Sequence, residues 1–199
     1  MIKKVTKKTK GIIVVHMAGS PCNIKKIKNF CKKKKIKLIE DCAHALGTKV
    51  NKGHVGNFGI SGCFSFYPTK QITTGEGGAL ITNSKKIYEK IRALKAFGID
   101  KDISQRKKPG LYDVKALGFN YRMTDFQAAL GYFQLKKYKL NLKRRHEIAK
   151  RYIKNLKENN YINFMPYSEN CSFFIFQILV KNRDKLITYL KENKIQFSI

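Results

Sequence analysis

The segment Ile39-Glu40-Asp41-Cys42-Ala43-His44-Ala45-Leu46-Gly47 sets the architecture, because it holds the end of a strand-like run over residues 36–40 and the acidic pair Glu40-Asp41. A second β-branched run lies upstream at residues 12–15 and is of the kind that parallel sheets bury. Between the two runs, apolar residues recur at helical spacing behind a candidate N-cap, Asn23, at Ile24, Ile27 and Phe30. This order predicts a β-α-β unit. It places Asp41 at the carboxyl end of a strand, where open α/β sheets bind ligands.

Two further segments follow, Phe64-Ser65-Phe66-Tyr67-Pro68-Thr69-Lys70 and Thr73-Thr74-Gly75-Glu76-Gly77-Gly78. Residues 63–67 and 79–82 predict strands on either side of Lys70, and the second strand is entered through the glycine turn. The turn is not a Walker loop, since the lysine precedes it and no Lys-Ser or Lys-Thr pair follows. On its own it predicts only a turn.

Lys70 and Asp41 carry groups that an imine-forming cofactor requires. A lysine amine can form an imine with the aldehyde of pyridoxal phosphate when it lies in a partly desolvated, electropositive setting. A carboxylate can hold the pyridine nitrogen protonated, which turns the ring into an electron sink. Each residue also has an ordinary explanation, because Lys70 is one of 35 lysines and Asp41 suits a turn or a helix cap. His44 as a turn residue and Ser65 as a strand residue are equally open.

After residue 82 the sequence predicts two helices separated by a loop, and then a small α/β unit. Ser84 precedes a first periodic series that ends near Gly98, and residues 99–118 predict a loop. Thr124-Asp125-Phe126-Gln127 is a capping box ahead of an apolar series that continues to about residue 156. Residues 172–180 predict a strand, 183–192 a helix and 195–199 the start of another strand. We therefore expect part of a large domain over residues 1–140, then a bridging helix and part of a small domain over residues 141–199.

The formal net charge is +29, and 35 of the 42 basic residues are lysines spread along the chain. A charge of this size is typical of proteins that bind nucleic acid. The longest lysine run, residues 32–35, has no interleaved aromatic residues, which favours a solvated helix end over a binding patch. We predict no nucleic-acid partner and keep basic nucleic-acid binding as a further alternative.

Five cysteines occur without a Cys-x-x-Cys pair, which argues against a disulfide framework and against a structural zinc site. We predict no metal ligands. No apolar run approaches the roughly 20 residues that cross a bilayer, and the basic start lacks the apolar core of a signal peptide. These observations predict a cytoplasmic protein without a membrane partner.

Taken together, the quoted segments resemble the sugar-nucleotide aminotransferases of the DegT/StrS type, within the fold-type I group of pyridoxal phosphate enzymes. A fourth segment, Gly118-Phe119-Asn120-Tyr121-Arg122-Met123-Thr124, adds to the resemblance, which covers nearly the whole chain. It implies an α/β fold-type I large domain, mostly parallel sheet with flanking helices, and part of a small α/β C-terminal domain.

The resemblance also implies a role for individual residues. Lys70 would form the imine with the cofactor and move protons, while Asp41 would pair with the pyridine nitrogen. His44 would lie beside the ring, and Ser65 would hold the phosphate. Asn120 would reach the phosphate of a partner subunit's cofactor, which implies a homodimer with shared sites. Tyr121 and Arg122 would assist substrate binding.

The implied reaction moves an amino group, usually from glutamate, to a keto sugar of a nucleotide-sugar, for polysaccharide or glycan biosynthesis. Relatives that dehydrate the sugar carry histidine at the place of Lys70, so the lysine favours amino transfer. Full-length family members have a longer N-terminal portion and continue past the position of Ile199. An inactive fragment or a non-catalytic subunit of such an enzyme is therefore the alternative.

Overall fold

The computed structural model of the chain describes residues 2–100 and 103–199. Its strands are β1 (Gly11–Val15), β2 (Lys37–Asp41), β3 (Lys49–Val50), β4 (Gly53–His54), β5 (Ser61–Ser65), β6 (Gly78–Ile81), β7 (Ile162–Phe164) and β8 (Ile178–Val180). Its helices are α1 (Ile24–Lys34), α2 (Lys85–Leu94), α3 (Asp125–Leu156) and α4 (Arg183–Glu192). None of the helices in this described part of the chain combines the length and apolarity that a bilayer crossing requires.

Four strands form the central sheet, in the order β1-β2-β5-β6. Strands β1, β2 and β5 are parallel, and β6 pairs antiparallel with β5. Asp41 lies opposite Val15 of β1 and Cys63 of β5, so the carboxyl ends of the three parallel strands meet at one edge. The predicted α/β fold with a mostly parallel sheet and flanking helices is thereby confirmed.

One face of the sheet is packed against α1. The buried core there consists of Ile12 and Val14 of β1, Leu38 of β2, and Ile24, Cys31 and Ile36. The predicted N-cap is present, because Asn23 Oδ1 accepts a hydrogen bond from the amide of Lys26. The helix ends at Lys35 in the left-handed conformation, and the amide of Ile36 returns to the carbonyl of Cys31 before β2 begins.

The opposite face of β1 is uncovered in this chain. Ile13 is 69% exposed and Val15 is 43% exposed, whereas their neighbours Ile12 and Val14 are buried. Strands of parallel sheets are normally covered on both faces. This face therefore presents aliphatic surface of the kind that proteins usually cover.

Helix α3 runs for 32 residues and begins with the predicted capping box, in which Thr124 and Gln127 satisfy each other's backbone amides. It is continuous, without a break in its middle. Its side chains form hydrogen bonds with the backbone of loops that are far apart in the sequence. Gln127 donates to the carbonyl of Glu76, Gln134 exchanges two hydrogen bonds with the backbone of Thr73, and Tyr138 donates to the carbonyl of Leu46.

The region after α3 differs from the sequence-based expectation. The predicted strand over residues 172–180 forms only at Ile178–Val180, which pairs with Ile162–Phe164. Residues 171–174 instead pack on the first half of the chain, where the amides of Ser172 and Phe174 donate to the carbonyls of Gly19 and Ala18. Residues 195–199 form no strand. The domain boundary at residue 140 stays a prediction.

Gly62 packs directly against the backbone of Gly56. A Cβ added at Gly62 would lie 2.3 Å from Gly56 Cα and 2.7 Å from the Gly56 carbonyl oxygen. Gly62→Ala should lower the free energy of unfolding by about 1–3 kcal/mol, since backbone atoms cannot move aside as a side chain can. Urea denaturation measures the change.

Gly11→Ala is the matched control within the same sheet, because the nearest atom to its added Cβ is 3.6 Å away. It should leave the free energy of unfolding within about 0.5 kcal/mol of the parent. Equal urea midpoints for the two variants would contradict the close packing of Gly62 on Gly56.

Candidate active site

Lys70 lies in the turn that follows β5. Its amide donates to the carbonyl of Tyr67 at 2.9 Å, and its side chain is half-buried. The Nζ atom lies 5.0 Å from the centroid of the Phe174 ring, within the range of a cation–π contact. Lys70 is therefore not a freely solvated surface lysine.

His44 lies on the same phenylalanine. Its ring stacks on Phe174 with centroids 4.4 Å apart and an interplanar angle of 25°. The Nδ1 atom is buried and has no hydrogen-bond partner among the described residues. A buried polar atom without a partner costs free energy, so His44 offers an unused hydrogen-bonding group to a ligand.

The charges of Lys70 and Asp41 both act on the His44 ring. Burial lowers the pKa of His44, the positive charge of Lys70 lowers it further, and the negative charge of Asp41 opposes both effects. Lys70 and His44 both lie against Phe174, and Asp41 precedes His44 by three residues at the carboxyl end of β2. The three residues therefore lie at the same edge of the sheet.

Asp41 ends β2 and is half-buried. Its Oδ1 atom accepts a hydrogen bond of 2.9 Å from the amide of Ala43, as a turn aspartate does. Its Oδ2 atom accepts no hydrogen bond from the described residues. The turn role and a ligand-binding role are compatible, because each uses a different oxygen.

The loop between Lys70 and β6 is fixed at several points. Gln71 Nε2 donates to the carbonyl of Ser172 at 3.1 Å. The Thr74 hydroxyl donates to the carbonyl of Glu76 at 2.8 Å and fills the place that a Cβ of Gly77 would need, at 2.3 Å. Gly77 has a φ of 153°, within the region that favours glycine. The glycine turn is thus held by its own threonine and by the loop's contact with residue 172.

Ser65 is half-buried at the end of β5, one strand away from Asp41. Its hydroxyl oxygen accepts a hydrogen bond of 3.3 Å from the amide of Tyr67. That bond leaves the hydroxyl proton available for an anionic ligand.

Asn120, Tyr121 and Arg122 are exposed and lie on a different loop. Arg122 stacks on Phe97 beyond the end of α2 at 5.0 Å, and its Nε donates to Asn120 Oδ1 at 3.3 Å. Tyr121 stacks on Phe119. Within the described residues, the contacts of these three side chains do not extend to Lys70, Asp41 or His44.

Phe174 is the site residue that the sequence did not indicate. It belongs to an apolar and aromatic run, Cys171-Ser172-Phe173-Phe174-Ile175-Phe176, that predicts a buried strand. Its position beside Lys70 depends on contacts made by the surrounding segment. Arg145 of α3 donates to the carbonyls of Phe173 and Phe174, at 3.0 Å and 3.2 Å.

Three buried groups near the strand ends, on His16, Glu40 and Cys42, have potential ligand atoms within 4.8 Å of one another. His16 Nε2 and Glu40 Oε2 already pair at 3.1 Å. Burial raises the pKa of Cys42, and the charges of Glu40 and Asp41 raise it further, which disfavours the thiolate that binds metals. This cluster is best explained as internal structure.

The full chain, residues 1–199, matches the DegT/DnrJ/EryC1/StrS aminotransferase family. GDP-perosamine synthase of Escherichia coli O157:H7 is 35% identical, over 98% of this chain and 52% of that protein. Helicobacter pylori PseC, an aminotransferase involved in the biosynthesis of pseudoaminic acid, superimposes with a TM-score of 0.89 and 32% identity, over 97% of this chain and 53% of that one. The chain spans about half the length of the relatives that it matches.

A third similar structure contains pyridoxal phosphate (PLP). The E. coli GDP-4-keto-6-deoxy-D-mannose-3-dehydratase was solved with bound hydrated PLP. It superimposes with a TM-score of 0.86 and 26% identity, over 98% of this chain and 54% of that one.

The pKa of His44 should depend on the charge of Lys70. Lys70→Met should raise the pKa of His44, because it removes a nearby positive charge that disfavours the imidazolium. A pH titration of the imidazole resonances by NMR measures the shift.

Lys37→Met is the control, because Lys37 is exposed at the opposite end of β2 from Asp41. It should leave the titration of His44 unchanged. An unaltered His44 pKa in Lys70→Met would contradict the proximity of the two side chains.

Proposed function

The chain belongs to the DegT/DnrJ/EryC1/StrS aminotransferase family, and we propose that it takes part in pyridoxal phosphate-dependent transfer of an amino group to a keto sugar of a nucleotide-sugar. The amino donor would be an amino acid such as glutamate, and the product would serve polysaccharide or glycan biosynthesis. The observation that carries the proposal is that Lys70 lies at the same edge of the sheet as Asp41 and His44.

The residues fit the cofactor. The site offers an amine at Lys70, an unused carboxylate oxygen at Asp41 and a free hydroxyl proton at Ser65. It also holds a buried ring nitrogen of His44 without a partner, which a ligand would satisfy. These are the groups that an aldehyde, a pyridine nitrogen, a phosphate and a ring substituent need.

When bound, pyridoxal phosphate supplies an aldehyde and an electron-withdrawing ring. Lys70 would bind the aldehyde carbon and, once released, would carry the proton to and from the reacting carbon as a general base and acid. Phe174 lies against Nζ and shields one side of the amine from water. Asp41 would hold the proton on the ring nitrogen, and the Ser65 hydroxyl would donate to the phosphate.

We infer a homodimer with shared sites as the assembly. Asn120, Tyr121 and Arg122 are exposed on one loop and so can reach a second copy. Arg122 contacts Asn120 and Phe97, and Tyr121 stacks on Phe119. Asn120 would bind the phosphate at the partner's site, and Tyr121 and Arg122 would bind substrate there. The net charge of +29 would attract the diphosphate of a nucleotide-sugar.

A cytoplasmic location is part of the proposal. All five cysteines are free thiols in the structure. Free thiols are usual in a reducing compartment.

Trapping with borohydride tests the role of Lys70. Incubation with pyridoxal phosphate should give a yellow imine that borohydride bleaches, and peptide mass spectrometry should find the reduced adduct on Lys70. Lys70→Ala should lose at least 90% of the band, because Lys70 is half-buried whereas the other lysines that the structure describes are exposed to solvent.

Lys49→Ala is the matched control, since Lys49 is an exposed lysine elsewhere in the same half of the chain. It should keep the imine band. Adduct distributed evenly over many lysines, with no excess on Lys70, would refute the proposed site.

The uncovered face of β1 favours a second candidate, a non-catalytic subunit that pairs with another polypeptide. Ile13 and Val15 offer aliphatic surface that a covering segment would bury. Burying the parts of these two side chains that are still exposed contributes roughly 2–3 kcal/mol. A partner with an apolar helix face and acidic flanks would match both this surface and the chain's positive charge.

Co-expression with the polypeptides encoded on either side of the chain tests this candidate. The imine band should then appear only in the co-purified complex, and Ile13→Ser with Val15→Ser should weaken binding by tenfold or more. Leu117→Ser is the control, since Leu117 is 86% exposed in a loop. A full imine band in the chain alone would contradict this second candidate.

A further inference from the structure

We propose that Glu40 and His16 are positioning residues, which fix the Asp41 carboxylate from the opposite face of the sheet. The consequence for catalysis rests on the proposed function, in which Asp41 holds the cofactor ring. The positioning itself is a property of this chain's own residues.

The Glu40 carboxylate is fully buried and saturated with donors. Its Oε1 accepts from the amides of Phe58 and Gly59, both at 2.7 Å. Its Oε2 accepts from the amide of Gly56 at 2.8 Å and from His16 Nε2 at 3.1 Å. Burial alone would raise the pKa of Glu40, but these hydrogen bonds together lower it, so the buried group is a carboxylate.

The His16 ring has a defined tautomer. Its Nδ1 accepts a hydrogen bond of 3.2 Å from the amide of Cys22, so the proton of the neutral ring lies on Nε2 and points to Glu40. The backbone amide of His16 donates to the carbonyl of Asp41 at 3.1 Å. His16 therefore holds both Glu40 and Asp41, one through its side chain and the other through its backbone.

Consecutive residues of a strand point to opposite faces. Leu38 and Glu40 are buried together on the α1 side, so Asp41 projects from the other face, towards Lys70 and His44. A single peptide unit separates the two carboxylates. Any rotation of the backbone at Glu40 would therefore turn the Asp41 side chain.

The loop over residues 56–59 gives Glu40 a rigid partner. A Cβ at Gly59 would lie 2.4 Å from the Leu38 carbonyl oxygen, so this loop contacts the β2 backbone directly. Three of the four donors to Glu40 are backbone amides, so an apolar side chain at this position would leave them buried without an acceptor. Four directed hydrogen bonds also define one orientation of the strand end, which an apolar side chain would not.

Amide hydrogen exchange tests the positioning directly. The probe is the amide of Ala43, because its acceptor is Asp41 Oδ1. Glu40→Gln places an NH₂ group against donors that need an acceptor, so the exchange of Ala43 should rise about tenfold relative to that of Ile36. Ile36 serves as the reference because its amide is bonded within the α1 core at the far end of β2.

Leu38→Ala is the matched control, since Leu38 lies on the same strand and face and is buried without polar side-chain contacts. It should destabilise the chain but leave the ratio of Ala43 to Ile36 exchange unchanged. An unchanged ratio in Glu40→Gln, or an equal rise in Leu38→Ala, would overturn the proposal.

Two further measurements complete the test. If Glu40→Gln does not fold, His16→Gln replaces it, because that change perturbs only one of the four hydrogen bonds to Glu40, and the same ratio decides. Borohydride trapping on the parent chain is read separately. Absence of a Lys70 adduct there would refute the proposed function, while the exchange ratio would still decide whether Glu40 positions Asp41.

Discussion

The fully buried carboxylate of Glu40 lies next to Asp41 in β2 and accepts the hydrogen bonds of the surrounding backbone amides. Glu40 receives hydrogen bonds from the end of β1 and from the loop that leads into β5. Without its negative charge, three amides and an imidazole would be buried without an acceptor, which costs more than each bond contributes. The alignment of the three parallel strand ends, and with it the place of Asp41, follows from this requirement.

A second constraint acts along the chain. Helix α3 is long enough to contact the glycine turn near its start, the turn after β2 in its middle and the segment around Phe174 further on. Each contact is a hydrogen bond from a side chain to a backbone carbonyl, so each fixes main chain instead of another flexible side chain. The turn that carries Lys70 and the segment that carries Phe174 are held against the same helix.

Features that depend on local chemistry could be predicted from the sequence. The Asn23 cap, the Thr124 capping box and the β-α-β unit ending at Asp41 all arise from residues within a few turns or one unit of each other. Phe174 could not be found this way, because it lies 104 residues from Lys70 and its run has the pattern of a buried strand. The partnership of Glu40 with His16 was equally hidden, since an acidic residue in a strand carries no sign of its acceptor role. The roles assigned to Asn120, Tyr121 and Arg122 stay predictions, because their acceptors would lie on another molecule.

Strand β1 is the edge of the sheet among the described residues, and its uncovered face is aliphatic. An edge with free amides and carbonyls can recruit a strand from a neighbouring molecule. Mutual repulsion between copies carrying a charge of +29 opposes that encounter at low ionic strength. Because the Debye length shrinks from about 30 Å at 0.01 M salt to about 8 Å at 0.15 M, the purified chain should lose colloidal stability as salt is added, the reverse of ordinary salting-in.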